Sequence, residues 1–379
     1  MDLYEFRFVD RISQIGQTTW NALAGTDYPF LRYEYLHALE ASWSVYSRSG
    51  WKPCHLEVRR GQELLALLPL YEKSHSWGEY VFDWAWAEAY QQTGLSYYPK
   101  LLSAVPFTPC EGPRLLMKQE DPELVSAIVQ AVQGRAAEHQ CSSWHLLFPD
   151  QTTQGLLEPV LSLKRLGVQF HWQNPGYSSF TEFLGSFTSR KRKNVRKERE
   201  SVRAQGITFQ WLEGGEIPPA ILDQFYVFYQ ATYLKRGQRG YLTRDFFVRL
   251  IRDMPEQVLL IIAEREGRMV AAAWFLKNAT RLYGRYWGCL QEYNHLHFET
   301  CYYQGIDYCI AHGLKDFDAG AQGEHKLLRG FEPRYTCSYH WLADERFVGP
   351  VADFLRQEKR YMESYMAEAA SLLPYRMES

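Results

Sequence analysis

The chain has 379 residues, 46% of them hydrophobic and 23% charged, with a formal net charge of −2, which is ample for buried cores in about two domains of roughly 100–200 residues each. No apolar run reaches the roughly 20 residues of a membrane-spanning helix, and the start Met1-Asp2-Leu3-Tyr4-Glu5 is acidic where a secretory signal would be basic and then apolar. The seven cysteines are odd in number and include no CxxC pair, so the chain is expected to be cytoplasmic, with free and mostly buried thiols.

Taken in order, residues 55–60 and 64–71 read as two strands turning at Gly61-Gln62. Residues 123–139 follow as an amphipathic helix and 144–148 as a strand. The second half repeats the pattern: strands at 259–266 and 269–276 turn at Gly267-Arg268, a helix covers 299–312 with Gly313 as its C-cap, and a strand follows at 315–319. Hairpin, helix and strand, twice, predict tandem α/β domains. The expected division is 1–173, 174–348 and a C-terminal helix in 349–379, packed on the second domain. The first half is longer between hairpin and helix, which leaves a segment of about 76–110, rich in rings and poor in charge, as an insertion. With 26 Tyr and 12 Trp in the chain, such a segment suits a lid, a cleft wall or an interface.

Between the halves lies the densest charge. Residues 190–203 hold eight basic and two acidic side chains. As a helix they place Arg192, Arg196, Arg199 and Arg203 on one stripe, with Val195 and Val202 beside it to tie the helix to a core. Guanidinium forks suit phosphate or carboxylate, so Arg192, Lys193, Arg196 and Arg199 are candidate contacts to an anionic substrate. Peripheral membrane contact through the same stripe stays open.

Two further clusters carry chemistry. Residues 283–288, with Arg285, lead into His295-Leu296-His297-Phe298-Glu299. That triple invites a metal, but HExxH spacing is absent and no second Cys/His set accompanies it, so no metal is expected. The loop Asp318-Ala319-Gly320-Ala321-Gln322-Gly323 ends in Glu324-His325-Lys326, a base and a cation in one short segment. Acyl transfer to an amine needs both: a group to take the proton and one to stabilise the oxyanion.

Residues 69–84, Tyr97-Tyr98-Pro99-Lys100-Leu101, Gly284-Arg285-Tyr286-Trp287-Gly288, 296–306 and 320–326 together resemble the FemAB-like family of N-acyltransferases, linked to the Fem aminoacyl transferases and the GNAT superfamily. The resemblance covers nearly the whole chain, although the long coiled-coil arm of some Fem proteins is missing. It implies an α/β (α+β) fold of tandem GNAT-like domains with mixed central sheets around a shared cleft, and transfer of an acyl or aminoacyl group to an amine, on a peptidoglycan precursor in the Fem enzymes. It suggests Lys326 as the oxyanion-stabilising cation, aided by Arg285, with Glu299 or His325 as the base. Tyr80, Asp83, Trp84, Tyr98, Tyr302 and Glu324 lie in or beside its motifs and are candidate substrate contacts.

GNAT enzymes that use acyl-CoA hold its pyrophosphate on a glycine-rich turn at a helix N-terminus. The corresponding stretch, residues 292–299, is bulky and carries an acid, which favours aminoacyl-tRNA or a carrier-bound acyl group as donor over acetyl-CoA or another acyl-CoA. No tightly held cofactor is expected. The partners expected are an anionic small-molecule or lipid-linked substrate and tRNA. The alternatives are a non-catalytic binding module for a cell-wall precursor or tRNA, and a CoA-dependent acetyltransferase with an atypical donor site.

Overall fold

The computed structural model describes residues 4–321 and 323–376. Met1, Asp2 and Leu3 of the acidic start and Gln322 of the glycine loop lie outside them. The chain divides into two compact units, Met1–Gly167 with Tyr335–Ser364, and Val168–Arg334 with Tyr365–Ser379. The sequence-based boundary at 173/174 falls at the end of the strand Leu163–Gln173, six residues beyond the point where the chain leaves the first unit.

In the first unit the expected hairpin is formed by His55–Arg60 and Glu63–Leu68, turning at Gly61 with a φ of 57°. It is flanked by Glu5–Val9 and Leu116–Met117 in a four-stranded sheet. The second strand does not run on to residue 71. Pro69 has no N–H to give a ladder, and Tyr71–Lys73 joins a different sheet between Trp51–Pro53 and Lys100–Ser103. Lys100–Ser103 in turn lies parallel to Ser143–Leu147. The segment read as an insertion is therefore not all accessory. Residues Trp84–Gln92 form a helix and Lys100–Ser103 a fully buried strand. The helix Pro122–Glu138 starts where Asp121 accepts the N–H groups of Glu123 and Leu124. Its Leu124, Ile128 and Val132, one face at helical spacing, pack on Leu56, Leu68 and Trp144.

The C-terminal helix, Val348–Ser371, corrects a second expectation. Its first turns belong to the first unit, where Val351 and Leu355 pack on Trp86, Tyr90 and Leu342 and Glu358 takes both forks of Arg165 at 2.7 and 2.8 Å. Only its end lies in the second unit, where Ala369 is buried.

The second unit runs, strand by strand, Ile207–Glu213, Val258–Arg265, Arg268–Lys277, Arg281–Cys289, Asp316–Asp318 and the part of Leu163–Gln173 from Val168 on. The first four are antiparallel. Arg281–Cys289 and Asp316–Asp318 are parallel, joined over the top by a helical segment from Leu296 to His312 that ends at Gly313, φ 67°. The helix Pro219–Leu234 lies so close to the sheet that a Cβ on Gly288 would come within 2.2 Å of the Phe228 carbonyl oxygen. None of the seven cysteines is in a disulfide, and six are buried.

Candidate active site

The site follows from how two parallel strands part. Arg281–Cys289 and Asp316–Asp318 pair over three positions only, ending at Tyr283 opposite Asp318. The start of this ladder is fixed by charge: Asp316, in the second strand, receives Arg281 at 3.0 Å and Arg334 at 2.9 Å. Burial alone would raise its carboxyl, yet His171, whose Nδ1 lies 3.6 Å away, and the flanking arginines hold it at about 2. Beyond Tyr283 the first strand continues alone while the second turns away at Ala319 and Gly320, whose φ is 89°. On its other edge the same strand is bulged. Trp274 pairs with Tyr286 and Phe275 with Gly284, which leaves Arg285 as the extra residue.

A cavity of about 160 Å³ opens in this gap, with Arg285 in its wall beside Trp274, Tyr286 and Trp287. The opposite wall is Cys301, Tyr302 and His297, with Ala319 and Gly320 at the strand end. Cys301 and Tyr302 sit on a wide π turn, Glu299–Tyr303, inside the helical segment, a device that re-aims side chains at functional sites. The segment begins at His295 in a left-handed conformation, φ 62°. Trp287 and His297 also line a second cavity of about 390 Å³, which Thr232, Lys235 and Arg236 reach from the end of helix Pro219–Leu234. One imidazole and one indole thus border both spaces.

Burial sets the protonation states. His297 is pushed down to about 4 by desolvation, and then by the nearby His325, Lys326 and Arg329, so it is neutral near pH 7. His325 is lowered by burial and by Arg329 and Lys326; its Nε2 is 2.9 Å from the Tyr302 hydroxyl. Lys326 is brought down to about 8, chiefly by desolvation, with Asp318 opposing and Arg285 adding repulsion. Burial pushes the Cys301 thiol far up, which removes it as a nucleophile near neutral pH.

Of the candidates from the sequence, Arg285 and Tyr302 line the cavity. Lys326 is behind its wall: the ammonium is buried and donates to the Gly320 carbonyl at 2.6 Å. Glu324 is exposed and accepts from the Tyr365 hydroxyl. Glu299 is not a free base. It is buried, and it accepts from Arg199 Nε at 3.1 Å, Arg199 Nη2 at 2.8 Å and Gln304 at 2.8 Å. Arg199 is correspondingly not a phosphate ligand. It is enclosed by Glu299, Asp307 and the ring of Phe180 at 4.2 Å. Burial works against its charge, but the paired carboxylates outweigh that and hold it protonated.

The basic helix, Ser189–Ala204, therefore has two faces. Val195, Arg199 and Val202 are buried, at i, i+4 and i+7. Glu198 beside them receives Arg329 at 2.8 Å and the Tyr303 hydroxyl, so this face is joined to the segment that carries His325 and Lys326. Outward point Arg190, Lys193, Arg196, Lys197 and Arg203, all exposed, with no carboxylate within ion-pair distance among the described residues. Arg192 is half-buried and donates to the Ser189 hydroxyl at 3.4 Å.

The remaining candidates lie in the first unit. Asp83 is buried in a charge cluster, where it pairs with Lys100 and accepts from Tyr97 at 2.6 Å. Burial would raise its carboxyl, yet Lys100 holds it far below the usual range. Tyr98 bonds to Ser76 at 2.8 Å. Tyr80 has a left-handed backbone, φ 64°. Trp84 is exposed and tilted against Trp77. Among the described residues no group of three His, Cys, Asp or Glu side chains is placed to hold a metal.

A family model described as peptidoglycan biosynthesis/recognition, the FemAB-like model, matches residues 11–377. The chain belongs to the FemAB-like family. Among solved structures it is similar to FemX, with 10% identity, 92% of this chain and 100% of that chain covered, and a TM-score of 0.55. It is also similar to L-PGS from Bacillus licheniformis, with 11% identity, 86% and 96% coverage and a TM-score of 0.50. A tandem GNAT protein from the clavulanic acid biosynthesis pathway matches with 10% identity, 90% and 99% coverage and a TM-score of 0.48. No curated protein matches the chain. The fold is the α/β, tandem GNAT-like one, with mixed sheets, that the FemAB-like motifs imply.

Sequence reasoning missed His297 as a cavity residue and missed Lys235 and Arg236 altogether. His297 was visible only as part of an apparent metal triple in an extended chain. The triple dissolves once the segment coils: His295 becomes a cap, His297 faces the cavities and Glu299 turns to Arg199.

Proposed function

We propose that the protein is an N-acyltransferase that passes an acyl or aminoacyl group to an amine on a peptidoglycan precursor. The observation that carries this reading is the pair of adjoining cavities bordered by one neutral imidazole, His297, with the bulged Arg285 in the wall of the smaller. The acyl carbonyl sits in the smaller cavity and the acceptor amine enters along His297. The amine nitrogen attacks the carbonyl carbon, the carbonyl electron pair moves to oxygen, and the guanidinium of Arg285 stabilises the oxyanion. The nitrogen, made acidic by the attack, loses its proton to His297. Collapse forms the amide and releases the donor's oxygen or sulfur with the electron pair, which takes up the proton. Lys326 acts through Gly320, holding the cavity wall and adding positive potential behind it.

The donor we favour is aminoacyl-tRNA. The exposed, unneutralised row Arg190, Lys193, Arg196, Lys197 suits a phosphate backbone. The turn before Leu296, with Glu292, Tyr293 and left-handed His295, does not suit a pyrophosphate. The test is to incubate the protein with aminoacyl-tRNA or acetyl-CoA and muropeptide amines, and to look for new amides by mass spectrometry. Wild type should form one, and His297→Asn and Arg285→Ala should each slow it by about a hundredfold or more. No amide with either donor, or an amide unaffected by both variants, would rule the reading out.

A further inference from the structure

A cavity of about 430 Å³ in the first unit lies at the C-terminal end of helix Tyr33–Ala41 and has no part in the chemistry above. Its floor carries a fixed negative charge. Glu40 accepts the Ile12 N–H at 3.0 Å and His55 Nε2 at 2.9 Å. His55 is fully buried, and its Nδ1 accepts the Leu70 N–H at 3.3 Å. An imidazole that accepts at Nδ1 and donates at Nε2 is neutral, so it orients Glu40 without cancelling its charge. The carbonyl end of the helix adds negative potential at the same place. Asp10, also in the lining, has no cationic partner among the described residues.

The rim is built for a cation as well. Trp43 and Tyr46 meet at 87° with centroids 5.7 Å apart, which makes a corner of two ring faces. Trp43 is 71% exposed and is held there by a left-handed backbone, φ 59°, a conformation that costs a tryptophan energy and persists where the surroundings impose it. Two rings at right angles beside carboxylates form the environment that attracts an ammonium group. The positive side chains in the lining do not neutralise it: Lys52 is paired with Glu72 at 3.0 Å, and Arg11 is exposed with no carboxylate partner among the described residues.

We propose that this cavity binds a small zwitterion, an amino acid or short peptide, with its ammonium between Glu40 and the Trp43–Tyr46 corner and its carboxylate on Arg11. The site is separate from the acyl-transfer reading and does not depend on it. The experiment is calorimetric titration of the full chain with glycylglycine, and with N-acetylglycine, which keeps the carboxylate and lacks the ammonium. Glycylglycine should bind saturably and N-acetylglycine should not. Trp43→Ala, a change at an exposed side chain, should weaken glycylglycine by about tenfold, the loss of one good cation–ring contact. Glu40→Gln should abolish binding; should that variant not fold, Trp43→Ala still decides. Absence of saturable glycylglycine binding, equal binding of N-acetylglycine, or a Trp43→Ala protein that binds as wild type would each overturn the proposal.

Discussion

His297 and Lys326 are both lowered by burial, and the two shifts lead to different uses. With His297 at about 4 and Lys326 at about 8, the imidazole is neutral and the ammonium charged across the interval between them. If transfer needs both states, kcat/KM rises as pH climbs through about 4 and falls above about 8. Stability moves the other way on the alkaline side. The folded Lys326 loses its proton near 8, the unfolded one near 10.4, so between those values the unfolded chain binds more protons and this group's contribution to stability grows with pH. A pH–rate profile measured beside a melting curve at each pH checks this. An alkaline loss of rate that tracks a loss of folded protein would contradict the assignment. Arg199 offers a second contrast. Arg199→Ala leaves Glu299 and Asp307 without their partner in a buried site and should cost about 3–5 kcal/mol in denaturant unfolding. Arg196→Ala, on the exposed face of the same helix, should stay within about 0.5 kcal/mol.

That contrast also marks what was readable at the scale of a helix or strand. The basic tract is a helix as its pattern implies, and the second hairpin and the strand after Gly313 stand within a residue or two of where turns and periodicity place them, while the second strand of the first hairpin stops three residues short and the helical segment capped by Gly313 starts three residues early. The assignment of faces was less clear, because two stripes overlap. Arg192, Arg196, Arg199 and Arg203 share one spacing, while Val195, Arg199 and Val202 share another. Desolvation decides between them: the valines must be buried, and Arg199 goes with them because Glu299 and Asp307 neutralise it. The partners lie about a hundred residues away, beyond the reach of local pattern. The strand Lys100–Ser103 was hidden for a different reason. Four residues between Pro99 and Pro106 show no periodicity, and only pairing on both sides makes them a strand. Gly288 tests the packing of elements directly. Its missing Cβ lets helix Pro219–Leu234 approach the strand that carries Arg285, so Gly288→Ala must push helix and strand apart. A loss of about 1–3 kcal/mol is expected, with a fall in acyl transfer larger than the stability loss explains, since Trp287 and Cys289 flank the glycine and line the cavities. Chemical unfolding alongside an activity assay separates the two effects.

For the whole molecule the question is how a chain of net charge −2 would hold a polyanion. Its mean field repels one, and the attraction has to be local. The helix Ser189–Ala204 supplies it because Glu198 is spent on Arg329 and Tyr303 while Arg190, Lys193, Arg196 and Lys197 face water, with Glu200 the one exposed acid of the helix beside them. Membrane insertion is a poor match for this face. An interfacial helix pairs its cations with exposed apolar residues, and here Val195 and Val202 are buried in the unit's own cores. A phosphate backbone needs only the cations. Binding of tRNA should then weaken steeply with salt, and the slope of log K against log salt should fall by about 0.9 for each cation that contacts a phosphate. Replacing Lys193 and Arg196 by Gln should flatten the slope by nearly 2 units if both make such contacts, and should leave the melting temperature nearly unchanged because both are exposed and neither has an ion-pair partner among the described residues. Fluorescence anisotropy with labelled tRNA over a salt series reads the slope. An unchanged slope would show that this row does not touch the nucleic acid, and the anionic donor would have to be sought at Lys235 and Arg236, beside the larger cavity.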